Sequence, residues 1–133
     1  MIVADADVIV YRFVQGPFSP LAAALLKNDP DWRTSALWRY EFANAMAVML
    51  RAGALTEGDA LEAIAHADAQ MTARETVVRQ DQALRVAARS GVSAYDAQYI
   101  ALAQTLGVRC VTADTPLARK TAPTCVLLSH HVK

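Results

Sequence analysis

The first ten residues, Met1–Val10, read MIVADADVIV. They form an apolar, β-prone run that is interrupted by two aspartates, Asp5 and Asp7. A short apolar run of this kind is typical of a strand buried in a parallel sheet. We expect this strand to end at Asp5, and ligands of parallel α/β sheets bind beyond the carboxyl ends of the strands. The opening segment therefore predicts an α/β fold with a carboxylate at the ligand-binding edge. The alternative is that Asp5 or Asp7 only caps the following helix.

The rest of the chain continues the alternation of short strands and helices. Further strands are predicted at Trp32–Thr34, Thr76–Arg79, Arg109–Thr112 and Thr124–Leu128. Helices are predicted at Leu21–Lys27, Ala36–Ala52 (capped by Ser35), Glu57–Gln70 (capped by Thr56), Gln80–Ser90, from Ser93 to Leu106, and at Thr115–Lys120. This pattern favours a three-layer α/β fold in which a short-stranded parallel sheet is flanked by helices on both faces. The length of 133 residues is that of a single domain, 1–133, with Ser129–Lys133 as a tail.

Composition narrows the functional class. Apolar residues make up 54% of the chain, which argues against intrinsic disorder. Thirteen basic residues balance thirteen acidic ones, so we do not expect a protein that coats nucleic acid by bulk charge, although an enzyme that contacts a few phosphates remains possible. Neither a membrane span nor a secretory leader is evident. Cys110 and Cys125 lack CxxC spacing and are interpreted as reduced core residues of a cytoplasmic protein.

Four carboxylates occupy positions where apolar patterning predicts burial. They are Asp5, Glu41, Asp96 and Asp114. Asp5 and Asp114 follow strands, and the first and fourth strands of a parallel sheet can be neighbours, which would bring these two acids together. Glu41 and Asp96 lie on helices that could flank them. Because grouped like charges repel, a divalent cation would relieve the cluster, and oxygen ligands suit Mg²⁺ or Mn²⁺.

Each of these acids also has a purely structural interpretation. Glu41 could be a surface residue paired with Arg39 or another nearby basic residue, and Asp96 could complete a capping box with Ser93. Asp114 precedes Pro116 and could cap a short helix. The joint pattern is harder to explain by capping than any single acid is.

Four segments together resemble the signature segments of PIN-domain ribonucleases, and most closely the VapC-type toxins of bacterial toxin–antitoxin pairs. The segments are Val3–Val8 (VADADV), Trp38–Ala45 (WRYEFANA), Ser93–Ala103 (SAYDAQYIALA) and Val111–Asp114 (VTAD). The resemblance runs from the first strand to the last. Its most specific part is the helix that contains Asp96 together with the Val-Thr-Ala-Asp strand end.

The resemblance implies a Rossmann-like sheet, Mg²⁺- or Mn²⁺-dependent cleavage of RNA, homodimerisation, and inhibition by a small antitoxin protein. Carried over by position, Asp5 and Asp96 would be the central metal ligands, and Asp114 would complete the acidic cluster. Glu41 would bind metal directly or through water, and Thr112 would be a supporting polar residue. Asp7 departs from the family, which usually has Ser, Thr or Asn there, and we expect it to act as a helix cap.

Two other functions remain open at this point. Asp5 and Asp7 have the Asp-x-Asp spacing of haloacid-dehalogenase-like phosphatases, but Lys120 is the only late internal lysine and that interpretation leaves Glu41 and Asp96 without roles. A catalytically inactive PIN-like binding module would not need the intact set of four acids.

Several side chains near the motifs could serve a substrate or a partner. Arg12, Arg39, Arg119 and Lys120 could contact phosphates, with solvated charge as the alternative. Tyr95 and Tyr99 could stack on bases, with core packing as the alternative. The apolar helices Ala36–Ala52 and Glu57–Gln70 predict a homodimer interface or an antitoxin groove.

Overall fold

A parallel sheet forms the centre of the protein, for which a computed structural model describes residues 1–132. Its strands are β1 (Ile2–Ala4), β2 (Trp32–Ser35), β3 (Glu75–Thr76), β4 (Cys110–Thr112) and β5 (Cys125–Leu127). Their order is β3-β2-β1-β4-β5, and all neighbouring strands pair in parallel. The first strand therefore lies in the middle of the sheet, as its apolar sequence predicts.

Helices connect the strands. They are α1 (Ala6–Phe13), α2 (Ser19–Asn28), α3 (Trp38–Arg51), α4 (Glu57–Met71), α5 (Gln80–Ser90), α6 (Ala94–Leu106), α7 (Thr115–Lys120) and α8 (Leu128–His131). The ends of α6 show why several bounds agree with the sequence. The Ser93 hydroxyl accepts from the amide of Asp96 at 3.1 Å, and Gly107 ends the helix with a φ of 68°.

Two apolar cores cover the two faces of the sheet. One core contains Ile2 and Ala4 of β1, Trp32 of β2, and Trp38 and Phe42 of α3. The other core contains Val3 of β1 with the buried face of α6 and residues of α5 and α7. Successive β1 side chains thus point to opposite faces, as in any strand. This arrangement confirms the predicted three-layer α/β fold.

Several boundaries differ from the sequence predictions; for example, α1 takes up Ala6–Val10 of the first apolar run, and α3 begins at Trp38 rather than Ala36. Ser35 belongs to β2 rather than capping α3, although its hydroxyl accepts from the amide of Leu37 at 3.1 Å. The third strand is shorter than predicted, because only Glu75 and Thr76 pair with β2. The predicted tail contains α8, because Leu128 is buried and draws this segment onto the core; Lys133 lies outside the described residues. Between residues 1 and 132, no helix is long and apolar enough to cross a membrane.

Candidate metal centre

The carboxyl edge of the sheet brings the predicted acids to one place. Asp5 follows β1 and Asp114 follows β4, and these two strands are hydrogen-bonded neighbours. Glu41 projects from α3 and Asp96 from the first turn of α6. All four line one cavity of about 250 Å³, and a fifth acid, Asp7, lines it with them.

Asp5 is the most enclosed of these acids, with 7% of its surface exposed. One of its oxygens accepts from the amide of Ala6 at 2.8 Å, and the other accepts from the Thr112 hydroxyl at 2.8 Å. Burial raises the pKa of Asp5 well above its ordinary value, and the nearby charge of Asp7 adds to the increase. The Thr112 hydroxyl in turn accepts from the amide of Asp114 at 3.0 Å, so one strand-end hydroxyl contacts two acidic segments.

Asp7 does not cap a helix, so that prediction is wrong. Asp5 is the N-cap residue of α1, and Asp7 lies one residue inside the first turn. From there its Oδ2 reaches across the sheet edge and accepts from the amide of Ala113 at 3.1 Å. Its Oδ1 is buried and lacks a hydrogen-bond partner among residues 1–132. Burial raises the pKa of Asp7 from 3.8 to about 6.

Glu41 makes a contact that the sequence did not reveal. The Tyr99 hydroxyl donates to Glu41 Oε1 at 2.6 Å. Burial raises the pKa of Glu41, and burial beside this carboxylate raises the pKa of Tyr99, so the hydroxyl keeps its proton and is the donor. The alternative pairing of Glu41 with Arg39 is wrong, because Arg39 bonds Glu75 at 2.8 Å and Asp68 at 3.2 Å.

Asp96 and Asp114 combine local roles with positions on the cavity. Asp96 lies at the N-terminus of α6, where the helix dipole favours an ionised carboxylate. Burial and the charge of Asp114 nevertheless raise the pKa of Asp96. Asp114 Oδ1 accepts from the amide of Leu117 at 3.0 Å, so Asp114 also caps α7 as its alternative interpretation predicts. A cap of this kind uses one carboxylate oxygen, which leaves capping compatible with a ligand role.

The chemistry of this cavity fits a hard divalent cation. Among the described residues, no three Asp, Glu, His or Cys side chains form a ready-made metal-binding group. However, five carboxylates line one cavity, and the buried Asp7 Oδ1 has no donor within the described chain. A buried, unpartnered carboxylate oxygen is costly unless a cation is bound there. Oxygen donors of this type match Mg²⁺ or Mn²⁺.

Among the other candidate residues, some are buried or paired within the protein and others are exposed. Tyr99 is fully buried, whereas Tyr95 is 66% exposed. The Arg12 guanidinium lies over the rings of Phe13 and Trp32, and Arg39 is engaged by acidic side chains, so both make structural contacts. The buried contact of Tyr99 was missed at the sequence level. In the sequence, the only indication of this contact is that Tyr99 lies one helical turn after Asp96 on an apolar face.

Fold and site together define an α/β domain whose acidic cavity lies at the carboxyl edge of a parallel sheet. Residues 2–122 match the family model described as PIN domain. The chain is also 30% identical over 122 residues to Ribonuclease VapC3 of Pyrobaculum aerophilum, covering 90% of this chain and 93% of that protein. This chain belongs to the PIN-domain family. That membership leaves the haloacid-dehalogenase-like interpretation without support.

Solved structures show the same fold. The crystal structure of PAE2754 from Pyrobaculum aerophilum superposes with a TM-score of 0.73 at 22% identity, covering 98% of this chain and 85% of that one. The structure of FitAcB from Neisseria gonorrhoeae gives a TM-score of 0.69 at 18% identity, covering 98% of this chain and 99% of that one. At these identities the similarity extends to the fold alone.

Proposed function

We propose that this PIN-domain protein is a metal-dependent endoribonuclease that hydrolyses RNA phosphodiester bonds, and that it is the toxin of a toxin–antitoxin pair. The observation that carries the proposal is the set of five carboxylates around one cavity at the carboxyl edge of the sheet. The similarity to a protein named as a ribonuclease, over nine-tenths of this chain, supports RNA as the substrate. The nuclease domain comprises residues 1–133, and its compartment is the cytoplasm.

In this proposal Asp5, Glu41, Asp96 and Asp114 hold Mg²⁺ or Mn²⁺. When bound, such an ion lowers the pKa of a water molecule and stabilises negative charge at a phosphodiester. The chain contributes orientation, because the Thr112 hydroxyl fixes the buried carboxylate of Asp5. It also contributes burial, because the near-complete enclosure of Asp5 keeps bulk water from that carboxylate.

In this proposal, Tyr95 is a contact for the RNA. It precedes Asp96 on α6, and its ring is exposed to solvent. Exposed aromatic rings bind single-stranded RNA by stacking on unpaired bases. The buried ring of Tyr99 cannot serve in this way.

The proposal is tested by separate Asp5→Asn and Asp96→Asn substitutions. Each removes a carboxylate charge while keeping the side-chain shape, so we expect Mn²⁺-dependent cleavage of a structured RNA to fall at least a hundredfold. Asp59→Asn is the matched control, because Asp59 is an exposed acid on α4, away from the cavity. Cleavage that survives both cavity substitutions would remove this site from the mechanism. An absence of specific Mn²⁺ binding by the unmodified chain would instead favour a PIN-like binding module.

We propose two protein partners, a second copy of this chain and a cognate antitoxin. The support is apolar surface on the two helices that the sequence singled out. Val48 on α3 is 49% exposed and Leu61 on α4 is 58% exposed. Contiguous exposed apolar patches mark interaction surfaces, and we propose that Val48 and Leu61 belong to one such patch.

A further inference from the structure

One hydrogen bond joins two helices that carry acids of the cavity. Glu41 belongs to α3 and Asp96 belongs to α6, and both side chains line the cavity. Tyr99 lies one turn after Asp96 on α6, and its hydroxyl donates to Glu41 Oε1 at 2.6 Å. The helix that supplies Asp96 therefore also supplies the donor that contacts Glu41.

We propose that Tyr99 is a positioning residue for the metal centre, which holds the Glu41 carboxylate toward the cavity at a fixed place relative to Asp96. This inference rests on the proposed function, because it assigns Glu41 to a bound cation. Tyr99 acts through Glu41, so it needs no contact with the ion or with RNA.

The burial of the Tyr99 ring makes the hydroxyl a fixed point. The ring is fully enclosed in the core formed with Ile100, Ala103 and Leu117. A phenylalanine would fill this apolar space equally well, so the packing does not require the hydroxyl. Glu41, in contrast, is only half-buried and has a flexible side chain. The hydrogen bond therefore removes freedom from the glutamate and not from the tyrosine.

A second hydrogen bond ties the segment that leads into α3 to the same turn of α6. The hydroxyl of Ser35, the last residue of β2, donates to Gln98 Oε1 at 2.8 Å. Gln98 and Tyr99 are consecutive on α6, so the end of β2 and Glu41 of α3 are both hydrogen-bonded to one turn of α6. Outer partners of this kind orient metal-binding carboxylates in proteins.

The test is a double-mutant cycle on Mn²⁺ binding, measured by titration calorimetry with the RNA omitted. Tyr99→Phe removes only the hydroxyl, and we expect it to weaken Mn²⁺ binding roughly 10–100-fold, the usual effect of losing an outer partner. In a Glu41→Gln background the same substitution should cause no further loss, because the group that it positions is already absent. Tyr40→Phe is the control, since Tyr40 adjoins Glu41 in sequence but is 74% exposed.

The results of the Mn²⁺ titrations distinguish a positioning role of Tyr99 from a purely structural one. Unchanged Mn²⁺ affinity in Tyr99→Phe overturns the proposal, and so does an equal loss in both backgrounds, because the hydroxyl would then act through the fold. Lack of Mn²⁺ binding by the unmodified chain overturns the proposed function and this inference with it. Should Tyr99→Phe not fold, ¹³C-tyrosine NMR of the unmodified chain and of Glu41→Gln tests the same contact. A Tyr99 ring signal that responds to Mg²⁺ in the unmodified chain but not in Glu41→Gln supports the proposal. No response in the unmodified chain, or the same response in both, overturns it.

Discussion

At the scale of single residues, Thr112 organises the acids of the cavity. Its hydroxyl donates to Asp5 at 2.8 Å and accepts from the amide of Asp114 at 3.0 Å, while Asp7 Oδ2 lies 3.4 Å away. A hydroxyl has one proton, so it cannot satisfy Asp5 and Asp7 equally. The other oxygen of Asp7, Oδ1, is buried without a donor in the described chain, and burial raises the pKa of Asp7. The charged form of Asp7 is therefore unfavourable in the metal-free protein.

Asp7→Asn should therefore change how stability depends on pH. Folding raises the pKa of Asp7 from 3.8 to about 6. A group with a raised pKa stabilises the folded state fully at a pH below 3.8, and this contribution is lost as the pH rises through about 6. In a chelating buffer we expect Asp7→Asn to be more stable than the unmodified chain above pH 7, by on the order of 2 kcal/mol. The gap should close below pH 4. Urea unfolding at several pH values measures it.

Asp59→Asn is the control for this prediction, because Asp59 is exposed. Asp59→Asn should not reproduce the gain in stability above pH 7 that we expect for Asp7→Asn. Saturating Mn²⁺ should narrow the gap for Asp7→Asn, since a cation stabilises the native carboxylate. Parallel pH curves for Asp7→Asn and the unmodified chain would contradict the burial of an unfavourable charge at this position.

At the scale of secondary-structure elements, the position of α3 depends on an ion-pair network at its first turn. Arg39 Nε lies 2.8 Å from Glu75 Oε2, its NH1 lies 3.2 Å from Asp68, and its NH2 donates to the Thr72 hydroxyl at 2.8 Å. Glu75 also accepts from the indole of Trp38 at 2.7 Å. These contacts join α3 to β3 and to the end of α4. They fix α3 from the side opposite to the cavity.

We expect Arg39→Met to lower the free energy of unfolding by about 1 kcal/mol, because exposed ion pairs contribute little individually but this one joins several partners. The loss is small because the Arg39 side chain is 35% exposed and solvent screens its ion pairs. Part of the loss should be reproduced in the unmodified chain by high salt. Denaturant unfolding checks both effects.

Arg79→Met is the matched control for the network. Arg79 pairs with Asp81 two residues away, and its side chain is 73% exposed. It joins no separate elements, so we expect little change in stability. Equal effects of the two substitutions would show that Arg39 contributes nothing beyond an ordinary surface ion pair.

At the scale of the whole molecule, both layers of helices leave apolar side chains exposed, and one layer contains the two helices for which the sequence predicts an interface. The layer of α3 and α4 carries exposed apolar side chains at Val48 and Leu61, in addition to the aromatic ring of Tyr40. The sequence predicts an interface on these helices from their apolar content. The fold buries only part of this apolar surface, because the sheet that α3 and α4 cover consists of five short strands.

We predict that light scattering will give twice the mass of a single chain. Val48→Glu combined with Leu61→Glu should place charge in this interface and yield a monomer, or abolish binding of the antitoxin if the face serves that partner. Leu84→Glu on α5 is the control, because Leu84 is 65% exposed in the other layer. A monomeric mass with and without the antitoxin would contradict the prediction.

Much of the fold was predictable because its signals act over a few residues. Ser93 and Gly107 bound α6 correctly, since a cap hydroxyl and a left-handed glycine act within one turn. The apolar run before Asp5 correctly predicted a central strand. The sequence allowed β1 and β4 to be neighbours, and the structure pairs them, which brings Asp5 and Asp114 to the same edge.

The sequence alone thus determined the fold class, the points where β1 and β4 end, and four of the five acids that meet beyond them. Only the tertiary structure decided what those acids contact. Asp7 reaches Ala113 across 106 residues of chain, and Tyr99 reaches Glu41 across 58. Such contacts depend on how helices from distant segments pack against the sheet, and no local pattern encodes that geometry. Caps and strands are local in the chain, whereas hydrogen bonds between packed helices are a property of the assembled core.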